Sequence, residues 1–325
     1  MHLHAFVSQY YDNNILNYSD SDRTLYKETS SSGGNTRFAV ETLDDNVIEV
    51  GARFTYESSG RKSSMWRARL KGSADLFARN SFRNYSQWGL ELRKYISRSY
   101  IEFSLSWLPY YNLRNLYWQP QFRHGDTREY MPAEFRRTNY ALEVGASFSR
   151  QLDGRVSIGL SSTNYKFPFD ERDNTTFTES GRLGYDVSKR ITLYGGFGFA
   201  QSRAAGRDST SQFFGGVKDI SYNAILAEFG ARVKCDRRGR IVASGSFDYQ
   251  HQHYRSRKQY GDKGHYGRID HDRTFDLSLS WRVTNRWQPK LNYVYHSSTS
   301  NVSPGTTDFG SYTAYHVGAM LTVFF

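Results

Sequence analysis

The chain ends Tyr315-His-Val-Gly-Ala-Met-Leu-Thr-Val-Phe-Phe325. Counting back from the terminal phenylalanine, Val323, Leu321, Ala319, Val317 and Tyr315 occupy every second position, with Thr322, Gly318 and His316 among the alternate ones. Successive side chains of a strand point to opposite faces, so this segment reads as a strand with one face in an apolar medium.

The same two-residue period recurs along the whole chain. It predicts strands near 3–12, 47–57, 64–76, 85–97, 99–110, 139–150, 155–167, 177–187, 190–202, 221–234, 241–254, 273–283, 286–297 and 312–325, about fourteen in all, with 12 or 16 as alternatives. Connections alternate in length. Ser58–Ser63, Ser97–Ser99, Gln151–Arg155, Ser188–Arg190, Asp236–Arg240 and Thr284–Arg286 are short hairpin signals, whereas 13–46, 111–138, 203–220, 255–272 and 298–311 are long. A soluble sandwich has no reason to sort its loops in this way, but a transmembrane barrel does, with the short turns on the periplasmic side.

Composition agrees. Mean hydropathy is −0.71, and no stretch supplies the ~18 apolar residues of a spanning helix. Yet 16% of residues are aromatic, too many for a disordered polar chain. Low hydropathy with many aromatics is what a barrel gives when half its strand residues face water. The one cysteine, Cys235, excludes an internal disulfide framework. A net charge of +11 points to acidic partners, anionic lipid or saccharide, and no aromatic-and-basic nucleic-acid motif accompanies it.

A closing strand with an aromatic at the C-terminus resembles the assembly signal of bacterial outer-membrane β-barrels. The resemblance implies one domain over 1–325: an all-β, closed, antiparallel up-and-down transmembrane barrel in a Gram-negative outer membrane, with both termini periplasmic. Such a protein needs a secretory signal, and none precedes Met1, so a signal, alone or with a periplasmic domain, is expected upstream. A shorter stretch, Tyr10-Tyr-Asp-Asn-Asn-Ile-Leu16 followed by Tyr18-Ser-Asp-Ser-Asp22, is similar to the opening strand and loop of barrels in exopolysaccharide-export proteins and surface lipoprotein assembly modifiers. That likeness implies a translocation barrel with a periplasmic partner. The same Asp/Asn-rich residues also suit Ca²⁺ binding or a plain turn.

One face of the predicted strands is apolar, as in Ile48, Val50, Phe54 and Tyr56, or Phe275, Leu277, Leu279 and Trp281. Tyr56, Trp66, Trp107, Tyr140, Trp281 and Trp287 near strand ends suit interfacial girdles. The opposite face carries the charges. Arg53, Arg67, Arg69, Lys71, Arg93, Arg182 and Arg232 form a candidate anion-attracting lumen wall, with Glu49, Glu91, Glu102, Glu143 and Glu228 as counter-charges. Glu49/Arg53, Glu91/Arg93 and Glu228/Arg232 each share a face. Two readings stand: ladders that pair across strands and hydrate the wall, or a cationic patch at Arg53, Arg67, Arg69, Lys71 and Arg93 that selects anions.

Loop 111–138 holds Trp118, Phe122, His124, Tyr130 and Phe135 among Arg114, Arg123, Arg128, Arg136 and Arg137, suited to an acidic sugar or to folding into the barrel mouth. The basic loop 255–272 suits lipopolysaccharide phosphates. His251, His253 and His271 lack an identifiable third metal ligand. Gly195-Gly-Phe-Gly198 lies mid-strand and favours close wall packing over phosphate binding. No cofactor, metal or enzymatic site is expected. The expectation is a monomeric porin-like channel for polar, anionic solutes. Its partners are outer-membrane lipid and lipopolysaccharide, the solute, and a periplasmic protein in the export reading. Nucleic acid is not among them.

Overall fold

The computed structural model describes residues 1–30, 38, 40–58, 64–118, 129–208, 218–257, 259, 262–302 and 310–325. Fourteen antiparallel strands run β1 His2–Asp12, β2 Asp45–Glu57, β3 Trp66–Phe77, β4 Tyr85–Ile96, β5 Ser99–Trp118, β6 Glu129–Ser147, β7 Leu152–Tyr165, β8 Asn174–Asp186, β9 Ile191–Ala204, β10 Tyr222–Lys234, β11 Ile241–Tyr254, β12 Ile269–Trp281, β13 Trp287–Ser300 and β14 Tyr312–Phe324. Each pairs with its sequence neighbours, and β1 closes on β14 from His4 opposite Phe324 to Asp12 opposite His316. The result is a closed barrel. No helix among the described residues is long and apolar enough to cross a membrane.

Closure follows from the outer surface. Ile48, Val50, Phe54, Leu142, Val144, Leu277 and Leu279 are all well exposed, as are Trp66, Trp88, Trp107, Trp281 and Trp287. A sheet with such an exterior belongs in hydrocarbon, where an open edge would strand unpaired N–H and C=O groups. Tyr56, Trp66, Trp281 and Trp287 ring the short-turn end, while Trp107 and Tyr140, with Trp88 opposite Trp107, lie toward the other. Tryptophan and tyrosine therefore sit toward both ends of the apolar outer face, as interfacial girdles need.

The short turns share a device. The hydroxyls of Ser149, Ser188 and Thr284 each accept hydrogen bonds from the backbone N–H groups two and three residues on, at 3.0 to 3.2 Å. A serine or threonine at the start of the turn thus replaces backbone partners and sets the reversal. In the Asp236–Arg240 turn, Asp236 accepts the Ile241 N–H at 2.9 Å and Gly239 takes φ +65°.

Two expectations need correction. Residues 111–118 and 129–138 are not loop: β5 and β6 continue as a long hairpin past register shifts between Leu108 and Tyr111 and between Asn112 and Asn115. The bulges break the two-residue period, which is why the pattern stopped early. Phe122, His124, Arg123 and Arg128 lie outside the described residues. The 13–46 connection contains α1, Asp20–Ser30. Ser19 caps it, its hydroxyl accepting the Asp22 N–H at 3.2 Å and donating to the Asp22 carboxylate at 2.9 Å. The Asp/Asn-rich opening is accounted for by this cap and by Asp12, which accepts the Asn14 N–H at 2.8 Å.

Two substitutions test this architecture. Leu277→Arg, on the lipid face, should destabilise the barrel by about 2–4 kcal/mol. A Cβ on Gly145 would lie 2.2 Å from the Tyr100 ring, so Gly145→Ala should cost about 1–3 kcal/mol through overpacking. Urea unfolding in detergent or lipid, read by heat-modifiable gel mobility, measures both.

Candidate functional site: the lumen wall

Every residue of the proposed wall sits at a lumen-facing position of its strand, alternate to the exposed apolar set. Most of the cations are paired. Arg67 Nε meets Glu57 at 2.7 Å, Arg69 meets Glu91 at 2.9 Å, Arg93 meets Glu102 at 2.6 Å and Arg182 meets Glu228 at 2.9 Å. Glu143 receives Arg155 at 3.4 Å and the Tyr100 hydroxyl at 2.6 Å. The pairing is across strands rather than along them: Glu91 takes Arg69, not Arg93, and Glu228 takes Arg182, not Arg232. Along a strand, same-face neighbours are separated by two residues' rise, whereas cross-strand partners stand side by side. Arg155, where the Gln151–Arg155 turn signal meets the 155–167 strand, is not among the predicted wall cations, and the register places it there opposite Arg182.

Arg182 shows how the wall is built. It lies on β8 and its partner on β10, with Gly196 of β9 in register between them. A Cβ at Gly196 would sit 3.5 Å from both Arg182 Cβ and Glu228 Oε2. The missing side chain leaves a trough through which the guanidinium reaches Glu228, lying 3.7 Å over the Tyr194 ring. The glycines of 195–198 thus serve close wall packing.

Arg53 and Lys71 differ from the rest. They face each other directly, with His4 on the far side of Arg53. Neither makes an ion pair or hydrogen bond among the described residues; Lys71 lies 5.8 Å over the Phe6 ring, with Glu49 in electrostatic range. A cavity of 290 Å³ opens beside them, lined also by Arg69, Gln87 and Glu91. Arg232 likewise has no ion pair among the described residues, standing opposite Ser244 and Thr192. Of the seven predicted cations, these three make no ion pair among the described residues.

The mouth at the long-loop end is partly filled. Ile15, Leu16, Tyr18, Phe38 and Leu43 pack on Val47 and Phe77, lumenal positions of β2 and β3. Asn14 ties this segment down by donating to Tyr18 O at 2.8 Å and Thr313 O at 3.1 Å. Arg114, buried, lies 5.3 Å over the Tyr18 ring, which places one arginine of the 111–138 segment inside the mouth. The basic 255–272 loop is also not wholly a charged surface. Arg257 and Lys263 are exposed, but Arg268 turns in and grips Asp270 through two bonds at 2.8 and 2.7 Å. Beside it, buried His265 donates from Nδ1 to Asp262 at 2.7 Å, and Asp262 accepts the Asp219 N–H at 2.8 Å. Burial, with Arg172 and Arg268 near, holds the His265 imidazole below its ordinary value despite Asp262. Burial opposes ionisation of Asp262, but the His265 hydrogen bond and the Lys218 charge outweigh it and keep its carboxyl below the usual range.

His251 and His271 approach at 3.3 Å, with the Tyr249 hydroxyl 2.8 Å from His271. They lie on the outer face. Among the described residues no three His, Cys, Asp or Glu side chains converge as metal ligands.

No family model and no curated protein matches the sequence. Solved structures of similar overall shape include the outer membrane channel DcaP of Acinetobacter baumannii, at 10% identity and a TM-score of 0.46, covering 99% of this chain and 96% of that one. The outer membrane protein OmpT of Vibrio cholerae matches at 8% identity and a TM-score of 0.49, covering 99% and 96%. Pseudomonas aeruginosa OpdK, solved with vanillate, matches at 10% and 0.44, covering 100% and 98%. On its own strand count, closure and lipid-facing exterior, this chain has the architecture of a bacterial outer-membrane β-barrel.

The buried mouth network has a pH signature. A histidine whose folded pKa is depressed stabilises the closed loop above its ordinary value of 6.5, and that stability is lost as pH falls below it. The depressed Asp262 adds a further loss at lower pH. After correction for intrinsic rates, hydrogen exchange at the Asp219 and Tyr266 amides should speed up between pH 7.5 and pH 5. Unchanged protection would contradict the network.

Proposed function

We propose that this protein is a porin-like outer-membrane channel that passes polar solutes and favours anions. The observation that carries the reading is the opposed, unpaired couple Arg53 and Lys71 beside an open cavity in the lumen wall. Directly opposed like charges weaken a ladder, and a wall needing only hydration has no use for them. A passing carboxylate or phosphate would relieve the repulsion. The paired cations Arg67, Arg69, Arg93 and Arg182 are already neutralised by carboxylates and serve the wall. In this reading the long loops face outward and the short turns with both termini face the periplasm. Exposed Arg257 and Lys263 are placed to meet lipopolysaccharide phosphates.

The export reading, a translocation barrel for polysaccharide or lipoprotein, finds less support. The inward packing of Ile15, Leu16 and Tyr18 narrows the mouth that a polymer would need.

Reversal potentials in planar bilayers under a salt gradient test the proposal. A unit charge at ~4 Å is worth about 1 kcal/mol even in water, so Arg53→Gln with Lys71→Gln should lower the anion-to-cation permeability ratio several-fold. Arg67→Gln, which leaves Glu57 uncompensated, should shift it less. A barrel that inserts but does not conduct would refute the channel.

A further inference from the structure

Like charges oppose one another at more than one place in the lumen, and the sign depends on height. Glu49 faces Asp75 and Glu228 faces Asp248, whereas Arg53 faces Lys71, Arg67 faces Arg93 and Arg155 faces Arg182. The opposed acids Glu102 and Glu143, at the height of these cations, are taken up by Arg93 and Arg155. Because barrel strands tilt, the hydrogen-bond register climbs toward the long-loop end by about one residue per strand. Followed from Arg53 across β3 to β8, it arrives at Thr176, near the loop end of β8. Corrected for that climb, Arg155, Arg182 and Arg232 lie level with Arg53 and Lys71. Asp248 and Asp276 lie level with Glu49 and Asp75, nearly across the barrel, while Glu228, bonded to Arg182 at 2.9 Å, bridges the two levels.

The lumen therefore carries two belts in series. The belt toward the short turns is cationic even after Glu91, Glu102, Glu143 and Glu228 have neutralised four arginines, because Arg53, Lys71 and Arg232 remain. The belt toward the long loops is acidic, and Asp12 and Asp272 extend it. Among the described residues, cations on that side include Arg83, Arg114, Arg172 and Arg268, which are buried in the packed mouth. Arg137 faces the lumen above the acidic belt, bonded to Thr163 at 3.1 Å. Asp248 and Asp276 have no hydrogen bond or ion pair among the described residues.

We propose that this channel rectifies: its conductance depends on the direction of the field. The inference rests on the channel reading above. A field pointing from the loop mouth to the turn end drives cations through the acidic belt and anions through the basic one. Both then accumulate between the belts, and current is high. The opposite field empties that space, and current falls. Four residues of tilted strand separate Glu49 from Arg53, roughly 10 Å along the axis. That matches the screening length of about 10 Å at 0.1 M salt and exceeds the ~3 Å at 1 M, so the asymmetry belongs to dilute solution.

Single-channel recording of the intact barrel in symmetric KCl tests this, with Asp248→Asn/Asp276→Asn as the variant and gel mobility as the check on folding. At 0.1 M the wild-type currents at opposite voltages should differ by about twofold or more, converging at 1 M. The variant should conduct nearly equally in both directions at 0.1 M and show a higher anion preference. A conducting wild type with a straight current–voltage line at low salt overturns the inference and leaves the channel standing. So does a variant that rectifies as strongly as the wild type. A barrel with no conductance overturns both.

Discussion

Everything in this molecule depends on satisfying backbone hydrogen bonds in a solvent that offers none. In hydrocarbon each unpaired N–H or C=O is costly, so the sheet must close, and the β1–β14 seam completes the ring of paired strands. Closure imposes a strict division of side chains. Each strand gives one face to lipid and one to the interior, which is how a chain with a mean hydropathy of −0.71 can be a membrane protein.

The same division concentrates charge. Residues excluded from the lipid face gather on the inner wall, close enough that each must find a partner or tolerate its neighbours. Arg67, Arg69, Arg93 and Arg182 find carboxylates, and Arg93 and Arg182 also lie over tyrosine rings, 4.0 and 3.7 Å from the centroids. Glycine makes room for these reaches, as Gly196 does between Arg182 and Glu228. What is left unpaired, Arg53 with Lys71 and Asp248 with Asp276, is sorted by height. That sorting gives the wall a direction as well as a charge.

The mouth follows a different logic. Its segments are not amphipathic strands but short runs that bury Tyr18, Phe38 and Phe169 or lock Arg268, Asp262 and His265 into polar contacts. Such packing narrows one end of the barrel while the opposite end is finished by tight turns. An asymmetric molecule in an asymmetric membrane results.

Much of the fold was legible because its signal is local. A period of two, read from Ile48 to Tyr56 or Phe275 to Trp281, identifies strand and lipid face without any knowledge of neighbours. Short turns beginning with Ser149, Ser188 or Thr284 carry their own hydrogen-bond instructions. The period failed where bulges interrupt it, in the β5–β6 hairpin, and where a capped helix of low hydropathy replaced a loop. The sequence alone could name the lumen charges but not their partners. Whether Glu91 meets Arg69 or Arg93 depends on which residues the register sets side by side, and register is a property of two strands at once. Height in the barrel depends on all fourteen, because tilt accumulates around the ring. The composition of the wall was therefore written in the chain, while its pairing, its vacancies and its polarity were decided by closure.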